Sequence, residues 1–459
     1  MNGRLSRLAE VLDADLHGAD GDFAGASIDT RRLPRGALFF ALAGERVDGH
    51  DFVAKAASLG AAAAVVAHRV DARLPQLEVA DVAAALTRAG AEARARFDGP
   101  VVGVTGSNGK TTVKQMLAAI LGAAGPVLAT EGNLNNHLGV PLTLMRLDGR
   151  VERAVIEMGA SAPGEIAELA AIARPSVGVI TNAGDAHLEG FGSRDGVARG
   201  KSELYAALAD DGVAVINADD AYTDYWREVA GARRVLTFGR EAEAADVRAV
   251  DVVMDGRGSR FTLVLPGETV AVTLPLAGAH NVSNALAAAA GAHAVGVAGA
   301  TIARALAGLE AVGGRLAITA GRHGVHLVDD SYNANPGSLA AALGWLAQQP
   351  APRWAVLGDM GELGEHAQAA HRDAGAAARE AGIDRLWATG PQSRLSVEAF
   401  GDGGAWFADH DALNAALLEA LDGEEVPVTI LVKGSRSARM DRIADALRIA
   451  PEAKAGAPC

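Results

Sequence analysis

Short apolar runs alternate along this chain with longer Ala-rich stretches, and this alternation constrains the fold more than any other feature. Apolar runs of about four to eight residues suit buried strands, and Ala-rich stretches favour helices. The alternation of the two predicts parallel sheets with crossover helices, an α/β fold class. The predicted strands are residues 63–67, 101–105, 154–157, 177–181, 213–217, 325–329, 354–357 and 428–432.

One region interrupts this pattern. Residues 246–254, 260–265 and 269–274 alternate between polar and apolar side chains, and the turn sequences DGRGS and PGE join them. Alternation with a period of two and short turns is typical of antiparallel strands with one exposed face. We therefore expect a small antiparallel meander within the α/β chain.

The length of 459 residues predicts about three domains, at roughly 150 residues for each. Gly99-Pro100 and Gly313-Gly314 are turn-forming pairs that precede new runs of strands, so we place linkers there. The expected domains are residues 1–98, 99–313 and 314–459. The second is expected to contain the central parallel sheet.

Composition excludes several classes of protein. The net charge of −14 would repel a phosphodiester backbone, so we expect no binding of nucleic acid. Cys459 is the only cysteine, which excludes an internal disulfide and fits a reducing, cytoplasmic location. We identify no export signal at the N-terminus, and residues 285–309 are too weakly apolar to predict insertion into a membrane.

A glycine-rich loop follows the predicted strand 101–105 and precedes a predicted helix. Glycines allow backbone N–H groups to approach a polyphosphate, a lysine reaches its terminal phosphates, and a threonine hydroxyl can bind Mg²⁺. The pattern GxxxxGK[ST] is not fully met, because Val104 stands where a glycine is expected, and a glycine-rich turn with an exposed lysine is the alternative. The loop residues that we expect to bind nucleotide are Gly106, Ser107, Asn108, Gly109, Lys110, Thr111 and Thr112.

The segment from Thr105 to Thr112, TGSNGKTT, resembles the ATP loop of the Mur ligases, cytoplasmic enzymes that build the stem peptide of peptidoglycan. The resemblance extends over essentially the whole chain. It implies an ATP-dependent ligase that forms an amide bond, with ATP and Mg²⁺ as cofactors. It also implies a first domain that binds substrate, a central domain that binds ATP, and a Rossmann-like third domain that binds the incoming dipeptide and closes over ATP. Lys110 is then expected to act on the transferred phosphoryl group.

Two further side chains follow predicted strands. Glu157 ends one strand and His187 lies in the loop after another, at the edge where open α/β sheets bind ligands. Taken alone, Glu157 is equally well explained as a capping carboxylate, and His187 as an ordinary loop histidine. The resemblance makes Thr111, Glu157 and His187 ligands of Mg²⁺. It also makes Lys201, in KSELY, a lysine that reacts with CO₂ to form a carbamate for a second Mg²⁺, whereas a solvated helix lysine is the alternative.

Other segments also resemble the family. Asn281 and Asn284, in HNVSNA, correspond to its adenine segment, although asparagines there could simply cap a helix. Arg315 and Asp330 correspond to third-domain residues that close over the nucleotide. Residues 358–364, GDMGELG, match the third domain as well, and we expect residues 433–436, KGSR, to form a basic loop beside the substrate.

The remaining segments point to the substrates. DDSYNANP, residues 329–336, is similar to members that add D-alanyl-D-alanine to UDP-N-acetylmuramoyl-tripeptide, and we expect these two molecules as partners. The first domain is expected to hold the UDP end. The predicted substrate residues are Ser27, Asp29, Thr30, Arg31, Gly44, Asp48, His50, Tyr332, Asn333 and Asn335.

The expected reaction runs through an acyl phosphate. By the family's mechanism, the carboxylate of the tripeptide attacks the γ-phosphate of ATP, and the amine of the dipeptide then displaces phosphate. One alternative is a related ligase, which adds either a diamino acid to the stem peptide or glutamate to folate. The others are a P-loop kinase or GTPase, and a catalytically inactive protein that binds a UDP-sugar. We also expect the third domain to close on the second, because ATP and tripeptide would lie on different domains.

Overall fold

The computed structural model describes residues 1–44, 47–310, 313–424 and 426–449. Within them, strands form sheets of two, five, nine and six members, and helices cover their faces. The predicted α/β class is confirmed. Each of the three predicted domains contains its own sheet or sheets, although their boundaries stay predictions.

The first 98 residues build the two small sheets. Leu5, Leu8 and Leu12 are all buried on one face of the first helix, as their spacing predicts. The strands are Asn2–Arg4, Asp15–His17, Asp22–Ala24, Ala26–Ser27, Leu38–Phe40, Ala63–Val66 and Gln76–Glu78. The helices are Leu5–Leu12, Val53–Ser58 and Val82–Ala95, with 3₁₀ turns at Thr30–Arg32 and Gly49–Phe52.

Residues 101–274 form the nine-stranded sheet. Its strands are Val101–Thr105, Val127–Ala129, Arg153–Glu157, Val177–Ile180, Val213–Asn217, Arg234–Gly239, Val247–Met254, Ser259–Leu265 and Glu268–Leu274. The last three form the predicted antiparallel meander, which continues the central sheet because its first strand pairs in parallel with Arg234–Gly239. The helices are Lys110–Gly122, Gly139–Leu144, Glu165–Ala173, Leu188–Phe191, Arg194–Ala206, Thr223–Ala230, Ala279–Ala294 and Gly299–Ala307.

The strand before the phosphate loop is central to this sheet. Val101–Thr105 is buried throughout and pairs in parallel with Arg153–Glu157 on one side and Val177–Ile180 on the other. Parallel strands end at the same edge of a sheet, where ligands bind in open α/β folds. The loops that carry Lys110, Glu157 and His187 therefore leave the sheet side by side.

The third part of the chain forms the six-stranded sheet. Its strands are Ala317–Ala320, His326–Asp330, Arg353–Leu357, Arg385–Thr389, Gly404–Phe407 and Thr429–Lys433, and they are parallel except for Ala317–Ala320 at one edge. The helices are Pro336–Leu346, Ala367–Glu380, Ser393–Phe400, His410–Asp422 and Asp441–Leu447, with 3₁₀ turns at Arg322–Gly324, Gly364–His366 and Arg436–Ala438.

The Ala-rich stretch 285–309 forms parts of two helices, as predicted. Ala279–Ala294 is buried over most of its length against the central sheet. Among the residues that the structure describes, no helix combines the length and the apolar character needed to cross a membrane. Cys459 lies outside the described residues.

Direct packing joins the first part of the chain to the second. Helix Val82–Ala95 lies against helices Gly139–Leu144 and Glu165–Ala173. Arg94 donates from Nε to the carbonyl of Ala173 over 2.7 Å and from Nη2 to that of Arg174 over 2.8 Å. These carbonyls have no partner within a helix at its C-terminus, so the guanidinium caps the end of Glu165–Ala173.

Candidate active site

A cleft of about 1330 Å³ lies between the nine-stranded and six-stranded sheets. Its walls come from the phosphate loop, from the loops after neighbouring strands, and from the third part of the chain. The cleft therefore joins two predicted domains, whereas the predicted substrate residues of the first domain do not line it.

Two glycines of the phosphate loop are fixed by their surroundings. Gly106 and Gly109 have φ angles of +142° and +81°, which side chains with a Cβ rarely adopt. A Cβ on Gly106 would lie 1.9 Å from Oγ1 of Thr181, and one on Gly109 would lie 2.2 Å from Oδ1 of Asn284. The loop thus needs glycine at both positions because of its neighbours as well as its conformation.

The loop after strand Val177–Ile180 holds the phosphate loop in place. Asn182 accepts the backbone N–H of Asn108 at Oδ1 over 3.0 Å, and its own carbonyl accepts the N–H of Ser107 over 3.0 Å. Thr181 donates from Oγ1 to the carbonyl of Asn108 over 2.5 Å. Ser107 in turn donates to the carbonyl of Gly184. Two loops that leave neighbouring strands therefore form one hydrogen-bonded unit.

Lys110 begins the helix that follows the loop. Its Nζ donates to the carbonyls of Gly106 over 2.6 Å and Ser107 over 3.0 Å. Burial lowers the pKa of Lys110 to about 8. The N–H groups of Thr111 and Thr112 lie in the first helical turn, where no acceptor exists within a helix, so this end of the helix can bind an anion.

Glu157 is 2% exposed and lies beside the start of that helix. Its Oε1 accepts the side-chain amide of Asn135 over 2.8 Å and the hydroxyl of Thr111 over 3.2 Å. Its Oε2 is buried without a hydrogen bond, although Nζ of Lys114 lies 3.6 Å away. The predicted pair Thr111 and Glu157 is thus brought together, with one carboxylate oxygen left free to bind a cation.

Lys201 is fully buried, unlike an ordinary helix lysine. Its Nζ donates to the carbonyl of Ala160 over 3.2 Å, and Ala160 lines the cleft while Lys201 itself does not. Burial, together with the nearby charge of Lys110, lowers its pKa to about 7, although Glu165 and Glu203 act in the opposite direction. A large share of Lys201 is therefore neutral near pH 7, as formation of a carbamate requires.

His187 connects the second part of the chain to the third. Its Nδ1 lies 2.6 Å from Oε2 of Glu362, and this contact lowers the pKa of the Glu362 carboxyl group. Although the two atoms are close, Nδ1 makes no hydrogen bond of good geometry, so the contact with Glu362 does not decide which ring nitrogen is available for a ligand. His187 lines the cleft, as does Glu362.

Two more hydrogen bonds link these parts directly at the phosphate loop. Arg315 donates from Nη2 to Oγ1 of Thr111 over 2.9 Å, and Asn335 donates from Nδ2 to Oδ1 of Asn108 over 2.8 Å. Both donors come from the third part of the chain. The structure therefore holds that part against the nucleotide loop, with Arg315 at the predicted position of an approaching phosphate.

Both carboxylate oxygens of Asp330 contact other residues of the chain. Its Oδ2 lies 2.5 Å from Nζ of Lys433, which is buried, and its Oδ1 accepts the backbone N–H of Leu316 over 3.0 Å. Lys433 also donates to the carbonyl of Asn333 over 2.9 Å. Lys433, from the predicted basic loop, thus links the end of strand His326–Asp330 to the loop that follows it. Asp330 and Lys433 both line the cleft.

Tyr332 also lines the cleft, between two arginines. The guanidinium of Arg315 lies 4.2 Å from the centre of the tyrosine ring, and that of Arg436 lies 5.6 Å from it. Both distances are within the range of cation–π attraction. Tyr332 therefore positions Arg315 toward the phosphate loop.

The predicted adenine pair, Asn281 and Asn284, is buried at the start of helix Ala279–Ala294. Asn281 donates from Nδ2 to the carbonyl of Ala277 over 2.7 Å, and Asn284 donates from Nδ2 to Oδ1 of Asn281 over 3.1 Å. Both line the cleft, but their amide donors are engaged within the protein.

The predicted substrate residues of the first domain form tight local turns. Ser27 is hydrogen-bonded to the backbone of Asp29, and Asp29 caps the 3₁₀ turn that begins at Thr30. Arg31 forms a two-pronged pair with Asp29 at the surface. Arg31 is exposed beside an ordered backbone turn, but its guanidinium is paired with Asp29, so it would have to leave this carboxylate to bind an anion.

His50 is held by contacts within the first part of the chain. Its Nδ1 lies 2.7 Å from Oδ1 of Asp48, and its Nε2 accepts the backbone N–H of Ala67 over 2.9 Å. The ring is buried and stacks on His68, with 4.2 Å between ring centres. Since both ring nitrogens have partners within the protein, His50 supports this loop, and its predicted contact with substrate stays a prediction. Gly44, in the same loop, donates its N–H to the carbonyl of Val47 over 3.0 Å.

Sequence reasoning missed several residues that line or support the cleft. Asn135 and Lys114 contact Glu157, Asn182 supports the phosphate loop, and Glu362 contacts His187. Three asparagines, Asn133, Asn135 and Asn136, follow strand Val127–Ala129, which belongs to the same sheet. That position after a strand was the signal that could have identified Asn135.

Models of one protein family match three successive parts of this chain. They are the Mur ligase family, catalytic domain, at residues 22–108; the Mur ligase middle domain, at residues 104–292; and the Mur ligase, glutamate ligase domain, at residues 314–436. The chain belongs to the Mur ligase family, and it is an ATP-dependent ligase. The assignment made from the phosphate loop is therefore confirmed.

Individual members of the family are also similar to this chain. The chain is 45% identical to UDP-N-acetylmuramoyl-tripeptide–D-alanyl-D-alanine ligase of Escherichia coli strain K12, over 97% of this chain and 98% of that protein. It is 38% identical to the enzyme of the same name from Haemophilus influenzae, over 96% and 97%. Its fold matches a crystal structure of MurF from Acinetobacter baumannii with a TM-score of 0.90 and 36% identity, covering 97% of this chain and 99% of that one.

A nucleotide complex is also among the similar structures. MurF ligase from Thermotoga maritima in complex with ADP matches with a TM-score of 0.79 and 29% identity, covering 92% of this chain and 96% of that one. Its bound ADP agrees with the predicted use of ATP.

Proposed function

We propose that this protein joins D-alanyl-D-alanine to UDP-N-acetylmuramoyl-tripeptide at the expense of ATP, in the synthesis of peptidoglycan precursors. The observation that carries the proposal is the arrangement of Lys110, Glu157 and Arg315 around one loop, with Arg315 contributed from across the cleft. The names of the similar enzymes support the choice of substrates. We propose a cytoplasmic location, because the family acts there.

The residues around the loop suit phosphoryl transfer. The N–H groups at the start of helix Lys110–Gly122 are placed to bind an anion, and Lys110 can leave its two carbonyl partners for the terminal phosphates. Arg315 presents a planar, permanently charged group beside Thr111. Together they would stabilise the charge that spreads over the phosphoryl oxygens as the tripeptide carboxylate attacks, so catalysis depends on position and electrostatics.

Glu157 and Thr111 fit a Mg²⁺ ion. Among the described residues no three histidine, cysteine or acidic side chains come together, so the protein supplies few ligands of its own. Mg²⁺ commonly binds through one or two carboxylates and the phosphates of its nucleotide, and Oε2 of Glu157, which accepts no hydrogen bond and is paired only loosely with Lys114, matches this pattern. When bound, the ion would neutralise charge on the phosphates. Without the ion, Lys114 lies close enough to orient the Glu157 carboxylate.

We propose that Lys201 forms a carbamate and, with His187, holds a second Mg²⁺. The lowered pKa of Lys201 supplies the neutral amine that adds to CO₂, with loss of one proton from nitrogen. The product is an anion near Glu165 and Glu203, so it requires a cation for charge balance. A carbonyl-carbon signal from ¹³C-labelled bicarbonate, present in the wild-type protein and absent in Lys201→Ala, tests this step. Lys201→Ala with near-normal turnover and no lost signal would refute it.

The two substrates are assigned to different domains. We propose that the first domain, through Ser27, Asp29, Thr30, Arg31, Gly44 and Asp48, holds the UDP end of the tripeptide. The third domain would hold the incoming dipeptide beside Tyr332, Asn333 and Asn335. Exposed Arg31 and the ordered turn at Asp29 are suited to a diphosphate.

A panel of acceptor amines tests the function. Purified protein with ATP, Mg²⁺ and UDP-N-acetylmuramoyl-tripeptide is expected to release phosphate with D-alanyl-D-alanine, and not with L-lysine, diaminopimelate or glutamate. Release with one of those acceptors instead would identify a different amide ligase. Release without any acceptor would indicate a phosphatase or a nucleotide switch.

A further inference from the structure

The segment after the last helix packs along the edge strand Ala317–Ala320. Arg448 follows that helix, and its backbone forms a β-bridge with Gly321, directly after the edge strand. The guanidinium of Arg448 pairs with Asp329, in the neighbouring strand, at the other end of the edge strand. Arg448 therefore spans the strand that begins soon after Arg315.

Asp329 is a buried carboxylate with three neighbours that bind its oxygens. It is 3% exposed, and Arg448 is its one ion-pair partner among the residues that the structure describes. Its Oδ1 accepts the backbone N–H of Ser331 over 3.1 Å and the hydroxyl of the same residue over 2.5 Å. Its Oδ2 accepts the backbone N–H of Gly314 over 3.1 Å and pairs with Nη2 of Arg448.

Removal of the cation would leave this carboxylate with an uncompensated charge in the interior. Breaking a buried ion pair on one side is strongly unfavourable for this reason. The carboxylate of Asp329 would then turn toward water and release its backbone partners. The hydrogen bond to Gly314 therefore depends on Arg448, although the two residues do not contact each other through their side chains.

Both chain neighbours of Arg315 are hydrogen-bonded to the end of the adjacent strand and the loop after it. Gly314 donates to Asp329, and its carbonyl accepts the N–H of Tyr332 over 3.0 Å. Leu316 donates its N–H over 3.0 Å to the carboxylate that follows Asp329 in the chain. Gly314 has a φ of +77°, which a residue with a Cβ rarely adopts, so the chain bends there. These contacts set the direction in which the side chain of Arg315 leaves the backbone.

Arg448 does not line the active-site cleft, whereas Arg315 does and donates to Thr111. We infer that Arg448 is a positioning residue for Arg315. By balancing the charge of Asp329, it keeps the acceptor of the Gly314 N–H in place, and the guanidinium of Arg315 then lies at the phosphate loop. This inference rests on the proposed function, in which Arg315 meets the terminal phosphate of ATP, and adds the residue that holds it there.

The probes are ADP and the non-hydrolysable β,γ-imido analogue of ATP, whose affinities are compared by calorimetry with Mg²⁺ present. Only the analogue carries the terminal phosphate group, so a displaced Arg315 should weaken the analogue and leave ADP nearly unchanged. Arg448→Met keeps an apolar stem and removes the charge. We expect it to reduce the affinity for the analogue, relative to ADP, about tenfold.

A double variant separates positioning from a general loss of structure. Arg315→Met should reduce the same ratio of affinities at least as much as Arg448→Met does. In the Arg315→Met background, Arg448→Met should change the ratio by less than about twofold, because both substitutions act through one guanidinium. Two losses that multiply in the double variant would instead show that Arg448 acts independently of Arg315.

Arg442→Met is the matched control, since Arg442 lies on the last helix and forms an exposed pair with Asp411. It should keep the wild-type ratio. Arg448→Gln repeats the test if Arg448→Met unfolds. An unchanged ratio in a folded Arg448 variant, or multiplied losses in the double variant, would overturn the inference and leave the proposed function intact. A wild-type protein that binds both nucleotides but does not ligate D-alanyl-D-alanine would contradict the proposed function alone.

Discussion

Asn335 donates a hydrogen bond from Nδ2 to Oδ1 of Asn108 over 2.8 Å, although 227 residues separate them along the chain. The Oδ1 of the same Asn335 accepts the backbone N–H of Ser338 and so caps helix Pro336–Leu346. One amide thus begins a helix in the third part of the chain and contacts the phosphate loop of the second. The start of that helix and the closure of the cleft are coupled at this residue.

Asn335→Asp separates these two roles. Aspartate caps a helix as well as asparagine does, but it places a second acceptor against Oδ1 of Asn108. We expect kcat/KM for ATP to fall about tenfold, because closure loses a hydrogen bond, while the midpoint of thermal unfolding changes little. Ser338→Ala should do the reverse, since it weakens the cap without touching the loop. A wild-type KM for ATP in Asn335→Asp would show that this contact does not support closure.

Glu157→Gln tests the proposed Mg²⁺ ligand with little change in shape. The amide keeps an oxygen near Asn135 but loses the charge that attracts a cation and faces Lys114. We expect kcat to fall by about two orders of magnitude or more and the Mg²⁺ concentration for half-maximal activity to rise. Glu168→Gln, an exposed carboxylate at the cleft, is the control. A Mg²⁺ titration of Glu157→Gln that overlays the wild-type curve would exclude the assignment.

Gly109→Ala should abolish nucleotide binding. The added Cβ would meet Oδ1 of Asn284 at 2.2 Å, and φ of +81° is unfavourable for alanine. Gly267→Ala provides the comparison, because Gly267 has a φ of +86° and no atom within 4 Å of an added Cβ. Calorimetry with ADP is expected to show no heat for Gly109→Ala and normal heat for Gly267→Ala. Equal, normal heats would mean that the loop tolerates displacement.

The buried Lys201 predicts a dependence of stability on pH. Its pKa in the folded protein is about 7, below the ordinary value of 10.5, so the unfolded chain binds more protons between these two pH values. The contribution of Lys201 to the free energy of unfolding is therefore smallest below pH 7. It rises toward pH 10.5, by at most about 1.4 kcal/mol per pH unit. Lys110, Glu165 and Glu203 are the charged groups that influence it.

Lys201→Met removes this titration and keeps an apolar stem. In buffer free of CO₂ and Mg²⁺, the difference between the unfolding midpoints of variant and wild type should be largest near pH 7 and shrink toward pH 9. The wild-type protein gains stability relative to the variant over that range. A difference that does not vary with pH would show that Lys201 remains charged in the folded protein.

Strong local patterns predicted much of the fold. The strand Val101–Thr105 and the meander strands match the predicted ranges to within about a residue, because buried β-branched runs and alternating polarity leave a clear periodicity. The predictions did not include short strands such as Asn2–Arg4, Asp22–Ala24 and Ala317–Ala320. Such short segments form because a neighbouring strand supplies their hydrogen bonds, and no periodic signal marks them.

The sequence by itself determined the α/β class, the phosphate loop and the family, since each depends on residues that are adjacent in the chain. Only the tertiary structure decided that Asn135 and Lys114 surround Glu157, that Lys201 is buried behind Ala160, and that His50 serves its own loop. These roles depend on which distant segments pack together and on how far a side chain is removed from water. Burial and contacts between remote residues come from the packing of the whole chain, and no local pattern encodes them.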